Sequence, residues 1–239
     1  MAEGKLPEHD ADCCCSPVVA CKRIALIHAT PVAVPPVVEA FARLWPEAEV
    51  CNLLEDSLAP DLERASGLDE RMISRFIRLA RYAEDCGADG ILFTCSAFGA
   101  AIEAAAKELA PLPVLKPNEA MFEEALNAGK SIGMVATFQP SVPSMEEEFE
   151  AMKVQLGSTA QLQTLCVPEA MTALRGGDTK THNQLVATEA AKFANCDAVL
   201  LAQFSTAQAR EAVSESVSAT ILTSPDSAVS KLRQLAAQR

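Results

Sequence analysis

The segment Asp89–Gly99, with the sequence DGILFTCSAFG, predicts a buried strand that turns directly into a helix. Its apolar run is too short for a helix, and Ala- and Glu-rich helical sequence follows it at once. In an open α/β sheet, ligands bind beyond the carboxyl ends of the strands. Cys95 lies at this strand end, beside a helix start whose dipole favours a thiolate. The segment therefore indicates a reactive cysteine with a lowered pKa.

The same pattern recurs without gaps later in the chain, in Asp197–Ala209, where Gln203 takes the position of Cys95. A second similarity, at an offset shorter by one position, places Ile27–Thr30 on Met134–Thr137. Two such repeats predict two homologous lobes that share a site between their matching strand ends. One lobe carries a thiol where the other carries an amide.

Composition excludes several classes of function. The 239 residues carry a formal net charge of −12 and include only 20 Lys and Arg, which argues against nucleic acid and anionic membrane surfaces as partners. The apolar runs end well short of the ~18 residues that a membrane span needs, and the N-terminus lacks the pattern of a secretory signal. We therefore expect no membrane association and a cytoplasmic location.

The nine cysteines form no C-x-x-C pair, and the three histidines are scattered along the chain. This spacing supports neither a zinc site nor a thioredoxin motif, and no Gly-rich nucleotide-binding signature is present. We therefore predict no metal and no cofactor. A reducing compartment fits best, and four of the cysteines are expected to be small buried apolar residues: Cys51, Cys86, Cys166 and Cys196.

Strands and helices alternate throughout, so both sheets should be mainly parallel. The predicted fold class is α/β, with two pseudo-symmetric lobes, each a mainly parallel sheet flanked by helices, and a site in the cleft between them. We assign residues 1–21 to a disordered tail, residues 22–116 and 225–239 to the first lobe, and residues 117–224 to the second.

Hydroxyl side chains accompany the predicted strand ends. Thr30 follows the first strand in a proline-rich loop, Ser96 follows Cys95, and Thr137 and Ser141 lie in the loop that opens the second lobe. Hydroxyls and free backbone N–H groups at a helix start can hold a carboxylate without any basic residue. The alternative interpretation is that Ser141 or Thr137 only caps the helix.

Several other segments receive weaker assignments. Lys116, where a short strand meets a helix start, is expected to be exposed on the surface rather than to contact a ligand. A structural or surface role is expected for His182. A loop containing Pro60 is expected before the helix that starts at Asp69, and no helix is assigned between Pro168 and Gly176.

The repeat, the Thr94-Cys95-Ser96 strand end, the Ala29-Thr30-Pro31 loop and the loop from Ala136 to Ser141 together resemble the aspartate/glutamate racemase superfamily. This group includes hydantoin racemases, maleate isomerases and arylmalonate decarboxylases, and the resemblance covers residues 22–239. It implies a cofactor-independent, isomerase-type enzyme that acts at the carbon next to the carboxylate of a small acid. It also implies a homo-oligomer, commonly a dimer.

Racemases of this group place one cysteine from each lobe on opposite faces of the reacting carbon. Cys95 matches the first cysteine, but Gln203 takes the place of the second and has no ionisable proton near neutral pH. One-cysteine decarboxylases of the group offer an alternative, in which a single thiol protonates an enediolate after carbon dioxide leaves. A further alternative is a non-catalytic protein that binds a small acid.

The resemblance then suggests roles for the candidate residues. Cys95 would be the acid/base group or nucleophile, and His28, at the end of the first strand, is a possible second acid/base group. The remaining candidates would hold the substrate carboxylate, orient the substrate or donate to an oxyanion; they are Thr30, Ser96, Thr137, Ser141, Gln203, Ser205 and Thr206.

Overall fold

The structure is a computed structural model that describes residues 21–65 and 67–238. The disordered tail predicted for residues 1–21 lies, apart from Cys21, outside the described residues. The strands are β1 (Arg23–His28), β2 (Glu49–Leu54), β3 (Gly90–Phe93), β4 (Val114–Leu115), β5 (Ser131–Ala136), β6 (Gln161–Cys166), β7 (Ala198–Leu201) and β8 (Thr220–Thr223).

The helices of the first half are α1 (Val34–Leu44), α2 (Leu58–Arg64), α3 (Glu70–Asp85), α4 (Gly99–Glu108) and α5 (Glu119–Ala128). Those of the second half are α6 (Val142–Gln155), α7 (Pro168–Arg175), α8 (Thr179–Ala190), α9 (Arg210–Ser214) and α10 (Ser224–Ala237). Short 3₁₀ turns join strands to helices at Pro31–Ala33, Ser96–Phe98, Gln139–Ser141 and Phe204–Ala209.

The strands form two four-stranded sheets with the same topology. Their orders are β2-β1-β3-β4 and β6-β5-β7-β8, and every pairing is parallel. Helices flank both sheets, so the prediction of an α/β fold with two similar lobes is confirmed. The carboxyl ends of β1, β3, β5 and β7 carry the turns that hold the candidate residues.

The two sheets are related by one constant shift in the sequence. The first residues of β1 and β5, Arg23 and Ser131, are separated by the same number of positions as those of β3 and β7, Gly90 and Ala198. The shorter offset expected for the first strand pair is therefore wrong by one position. The shorter offset came from an Ala-Thr dipeptide present in both lobes. In the second lobe this dipeptide begins at the last residue of β5, whereas in the first lobe it begins one position after the end of β1.

Alternate residues of β1 face different helices, as a pleated strand requires. Ile24 and Leu26 pack against α1 and α10, whereas Ala25 and Ile27 pack against α3 and α4. In the second lobe, β5 is covered in the same way by α5 and α6 on one face and by α7, α8 and α9 on the other. Helices thus cover both faces of the central strands of each sheet and hold the carboxyl ends of these strands in fixed positions.

Two helices cross from one lobe to the other. Helix α5 follows β4 of the first sheet but packs on the second, and α10 follows β8 of the second sheet but packs on the first. The two crossing points meet where the Ser224 hydroxyl donates a hydrogen bond of 2.7 Å to Asn118 Oδ1, and both residues are fully buried. The lobes are therefore joined by two buried connections.

Helices α2 and α7 lie where the sequence predicted none. Pro60 is in the first turn of α2 and Pro168 is the first residue of α7, and proline is tolerated at these positions because the first N–H groups of a helix have no intrahelical partner. Both helices follow the second strand of their sheet. Each therefore occupies the equivalent position in its lobe.

The cysteines also differ from expectation. Cys51 and Cys86 are exposed, because β2 is an edge strand and Cys86 follows the last turn of α3. Cys166 and Cys196 are half-buried. Among the described residues, no helix combines the length and the apolar character needed to cross a membrane.

Candidate active site

A cavity of about 270 Å³ opens at the carboxyl ends of the strands and is lined by turns from both lobes. Its position is the one expected for ligand binding in parallel sheets. Three predicted residues do not line it: His28, Thr137 and Thr206. The cavity brings together the other six, which are Thr30, Cys95, Ser96, Ser141, Gln203 and Ser205.

Cys95 is half-buried between β3 and the turn Ser96–Phe98. Burial raises the pKa of its thiol to about 11, and a hydrogen bond from the Ala97 backbone N–H offsets only part of this rise. The predicted lowering of the pKa is therefore wrong, because loss of water around the thiolate outweighs the single N–H donor. At neutral pH Cys95 is a protonated thiol.

Gln203 is fixed by four hydrogen bonds. Its Oε1 accepts from the backbone N–H of Thr137 at 2.8 Å and from the Thr137 hydroxyl at 2.9 Å. Its Nε2 donates to Ser141 Oγ at 2.7 Å and to the Phe138 carbonyl at 3.3 Å. A carboxamide has two donors and one oxygen with two lone pairs, so Gln203 has no hydrogen-bonding capacity left for a substrate in this arrangement.

Three of the candidate hydroxyls have already donated their single proton. The Thr137 hydroxyl donates to Gln203, Ser141 Oγ donates to the Phe138 carbonyl at 2.9 Å, and Thr206 Oγ1 lies 2.7 Å from the Gln203 carbonyl. Neither Thr137 nor Ser141 caps α6 through its side chain. Within the described part of the chain, the hydroxyls of the other three make no hydrogen bond; these are Thr30, Ser96 and Ser205.

His28 is fully buried and does not line the cavity. Its Nε2 lies 2.9 Å from Asn52 Oδ1 and its Nδ1 lies 2.9 Å from Thr94 Oγ1. Because Oδ1 can only accept, Nε2 carries the proton and Nδ1 accepts from the threonine. Burial lowers the pKa of His28, so the ring is neutral and ties together the ends of β1, β2 and β3.

The mouth of the cavity carries charged residues that the sequence pattern did not indicate. Asp56 lies just before α2, Glu63 lies within α2, and Arg175 lies at the end of α7; all three are exposed. No ion pair engages Arg175 among the residues that the structure describes. The sequence predicted neither helix. Met171 and Arg175 both line the cavity, and their four-residue spacing is the signal that could have placed these two residues on one face of a helix.

Lys116 is not the surface residue that was expected. Its side chain is 16% exposed, and its ammonium group lies 2.7 Å from Glu103 of α4 and 3.2 Å from Glu148 of α6. It thereby joins helices of both lobes. Burial raises the pKa of neighbouring Glu119 to about 7. The next residue, Pro117, lines the cavity.

His182 has the structural position that was expected, fully buried in α8 with Nδ1 2.8 Å from Asn183 Oδ1. Over the described ranges, no group of three or more His, Cys, Asp and Glu side chains is arranged to hold a metal ion.

The fold and the cavity define a class of two-lobed α/β proteins that hold a cysteine in the cleft between matching strand ends. A sequence profile of the family described as Asp/Glu/hydantoin racemase matches residues 27–232. The chain belongs to the Asp/Glu/hydantoin racemase family, and this membership supports an isomerase-type enzyme. Among curated proteins, none matches the sequence at a significant level.

Solved structures show the same fold. The aspartate racemase of Picrophilus torridus is 14% identical with a TM-score of 0.68, over 90% of this chain and 94% of that one. The allantoin racemase of Klebsiella pneumoniae is 17% identical with a TM-score of 0.68, over 91% and 88%. The glutamate racemase of Francisella tularensis, solved with D-glutamate, is 16% identical with a TM-score of 0.68, over 91% and 81%.

Proposed function

We propose that this protein is a cofactor-independent, isomerase-type enzyme that moves a proton at the carbon next to the carboxylate of a small acid, with Cys95 as its acid/base group. One observation carries the proposal: the Cys95 thiol lies in a cavity beside three hydroxyls whose protons are unused. The other ionisable side chains of the described lining, Asp56, Glu63 and Arg175, are exposed at the mouth.

The substrate carboxylate is assigned to the hydroxyls of Thr30, Ser96 and Ser205. Thr30 and Ser96 belong to the first lobe and Ser205 to the second, so the carboxylate bridges the cleft. Hydrogen bonds to a charged group contribute about 1.5–3 kcal/mol each, which makes three of them sufficient to hold a small acid without a buried cation. Because Ser96 is adjacent to Cys95, the carbon next to that carboxylate comes close to the thiol.

For isomerisation, the Cys95 thiol first loses its proton to solvent, and the thiolate then removes the proton from this carbon while the electron pair of the C–H bond passes into an enediolate. Return of a proton to the same face gives exchange without inversion. Return to the opposite face needs a second donor, and Gln203 has no ionisable proton. A water molecule would have to supply it.

Decarboxylation is the second candidate, and the raised pKa of Cys95 favours it. Here the bond to a second carboxylate breaks, its electron pair forms the enediolate, and carbon dioxide leaves. The Cys95 thiol then gives its proton to carbon and recovers one from solvent. This step starts from the thiol, which is the form present at neutral pH, and needs a donor on one face only.

Proton NMR in deuterated water tests these candidates. Purified protein is incubated with amino acids, hydantoins, maleate and substituted malonates, beside Cys95→Ala and Cys95→Ser. Cys51→Ala, which alters an exposed thiol on the edge strand β2, serves as the control. Deuterium exchange with inversion establishes an isomerase, and loss of carbon dioxide with one-handed deuteration establishes a decarboxylase.

Loss of Cys95 should lower the rate by several orders of magnitude, since it removes the acid/base group, while Cys51→Ala should match the unaltered protein. Turnover that survives Cys95→Ala would overturn the assignment. Ligand-induced shifts without any turnover across the panel would instead establish a non-catalytic binding protein. The homodimer and the cytoplasmic location stay predictions from the sequence.

A further inference from the structure

Gln203 has an unusual backbone conformation and lies where the chain passes between the two lobes. Its φ of 86° makes it the one residue other than glycine with a positive φ in the described part of the chain. Its side chain stays in the second lobe, bound to the turn from Thr137 to Ser141. The next residue, Phe204, is 1% exposed and packs in the first lobe, in the cluster formed by β1, α1 and α10.

The turn that Gln203 holds lies against the turn that carries Cys95. The 3₁₀ turns Gln139–Ser141 and Ser96–Phe98 are in contact, and so are α6 and the turn Ser96–Phe98. Ser144 Oγ of α6 lies 3.5 Å from the Ser96 carbonyl oxygen. A Cβ atom on Gly99 would come within 3.8 Å of that same hydroxyl. A continuous path of contacts therefore runs from the Gln203 amide to the residue after Cys95.

We propose that Gln203 is a positioning residue that sets the location of the Cys95 thiol, by fixing the second-lobe turn against which the Cys95 turn packs. The amide takes the position of a second acid/base group and instead braces the second-lobe turn that lies against the Cys95 turn. The role in catalysis rests on the proposed function, whereas the effect on the Cys95 thiol does not.

Two variants interrupt the brace at different points. Gln203→Glu keeps an oxygen for Thr137 but replaces both N–H donors by a second acceptor, which faces the Phe138 carbonyl oxygen. Thr137→Val removes one donor to Gln203 outside the cavity lining, so it loosens the brace without changing a side chain that faces the ligand. Thr137→Ser keeps the hydroxyl and is the rescue variant.

Ser227→Ala is the matched control for a general loss of stability. Its hydroxyl is buried and hydrogen-bonded to Glu124 at 3.0 Å on the side of α10, and neither residue lines the cavity. The control should lower Tm as Thr137→Val does but by a smaller amount, because its lost hydrogen bond is part-buried and that of Thr137 is buried. It should leave Cys95 unaffected.

The first readout is the rate at which iodoacetamide modifies Cys95, followed by peptide mass spectrometry, which needs no substrate. We expect Gln203→Glu and Thr137→Val to change this rate severalfold and Thr137→Ser to restore it. The second readout is turnover of whichever acid the NMR panel identifies, where kcat should fall about tenfold or more with KM nearly constant, since a misplaced thiol affects the reaction more than binding.

A Cys95 modification rate in both variants equal to that of Ser227→Ala would overturn the positioning role. A changed modification rate in a protein that turns over nothing in the panel would support the positioning role while removing the catalytic proposal. The two proposals can therefore fail separately.

Discussion

Cys95 and Gln203 follow equivalent strands of the two lobes and line the same cavity, yet their surroundings are opposite. Cys95 has an extended backbone with a φ of −120°, and one backbone N–H contacts its sulfur. Gln203 has a φ of 86°, and four hydrogen bonds fully occupy its amide. The symmetry of the two lobes therefore stops at the site, where one wall carries an ionisable thiol and the other carries an amide held by four hydrogen bonds.

Alkylation of the Cys95 thiol should become fast only at a more alkaline pH than is usual for a cysteine. Burial raises the pKa of this thiol to about 11, so the reactive thiolate remains scarce until strongly alkaline pH. We expect the rate of Cys95 modification by iodoacetamide to keep rising between pH 9 and pH 10.5, after the exposed Cys51 has reacted. Peptide mass spectrometry measures the modification of both cysteines. A rate that levels off below about pH 8 would contradict the buried, protonated thiol.

Arg175 should strengthen binding of an anionic substrate. It is the basic residue of the described cavity lining, and it shares the mouth with Asp56 and Glu63 in a protein of strongly negative net charge. Because all three are exposed, Arg175→Gln should raise KM only about two- to fivefold, and Glu63→Gln should lower it slightly. Kinetics at low and high salt measure this effect, which should shrink as ionic strength rises. An unchanged KM at low salt would remove Arg175 from substrate binding.

His28 should contribute to stability in a pH-dependent manner. Burial lowers its pKa in the folded protein, so below about pH 6.5 the unfolded chain takes up a proton that the folded protein refuses. His28→Leu leaves Asn52 and Thr94 without their partner and should cost about 1–3 kcal/mol at pH 7.5. Urea unfolding should show a smaller cost at pH 5. A cost that grows on acidification would contradict a neutral buried ring.

Glu119 should lower the stability of the folded protein at alkaline pH, whereas His28 lowers it at acidic pH. Burial raises its pKa to about 7, and Lys116, Glu148 and Lys231 face it. The folded protein binds the proton of the Glu119 carboxyl group more tightly than the unfolded chain does. The contribution of this group to the free energy of unfolding is therefore favourable below about pH 4.5 and is lost as pH rises through 7. Glu119→Gln should therefore stabilise the protein by on the order of 2 kcal/mol at pH 8.

The gain from Glu119→Gln should largely disappear at pH 4.5, where the carboxyl group is already protonated in the folded protein. Urea unfolding at the two pH values measures it, with Glu147→Gln, at an exposed carboxylate of α6, as the control. Equal stability of Glu119→Gln and the unaltered protein at both pH values would show that Glu119 ionises without cost.

The sequence predicted the architecture because hydrophobic period and repetition are local properties. The four apolar residues of β3 and those of β7 mark buried strands, and their constant offset indicates two lobes. Helices α2 and α7 escaped prediction because each is short and has proline in its first turn, a residue typical of loops. The charged residues at the mouth of the cavity were not predicted either, since Glu63 and Arg175 lie on those two helices.

The sequence by itself determined the α/β class, the position of Cys95 at a strand end and the presence of Gln203 at the equivalent position of the second lobe. Only the tertiary structure decided the state of these side chains, because a pKa depends on the water lost around a group, and a free hydroxyl depends on which partners surround it. Burial makes Cys95 a thiol rather than a thiolate. Contacts between segments distant in sequence use up the amide of Gln203 and leave Thr30, Ser96 and Ser205 free.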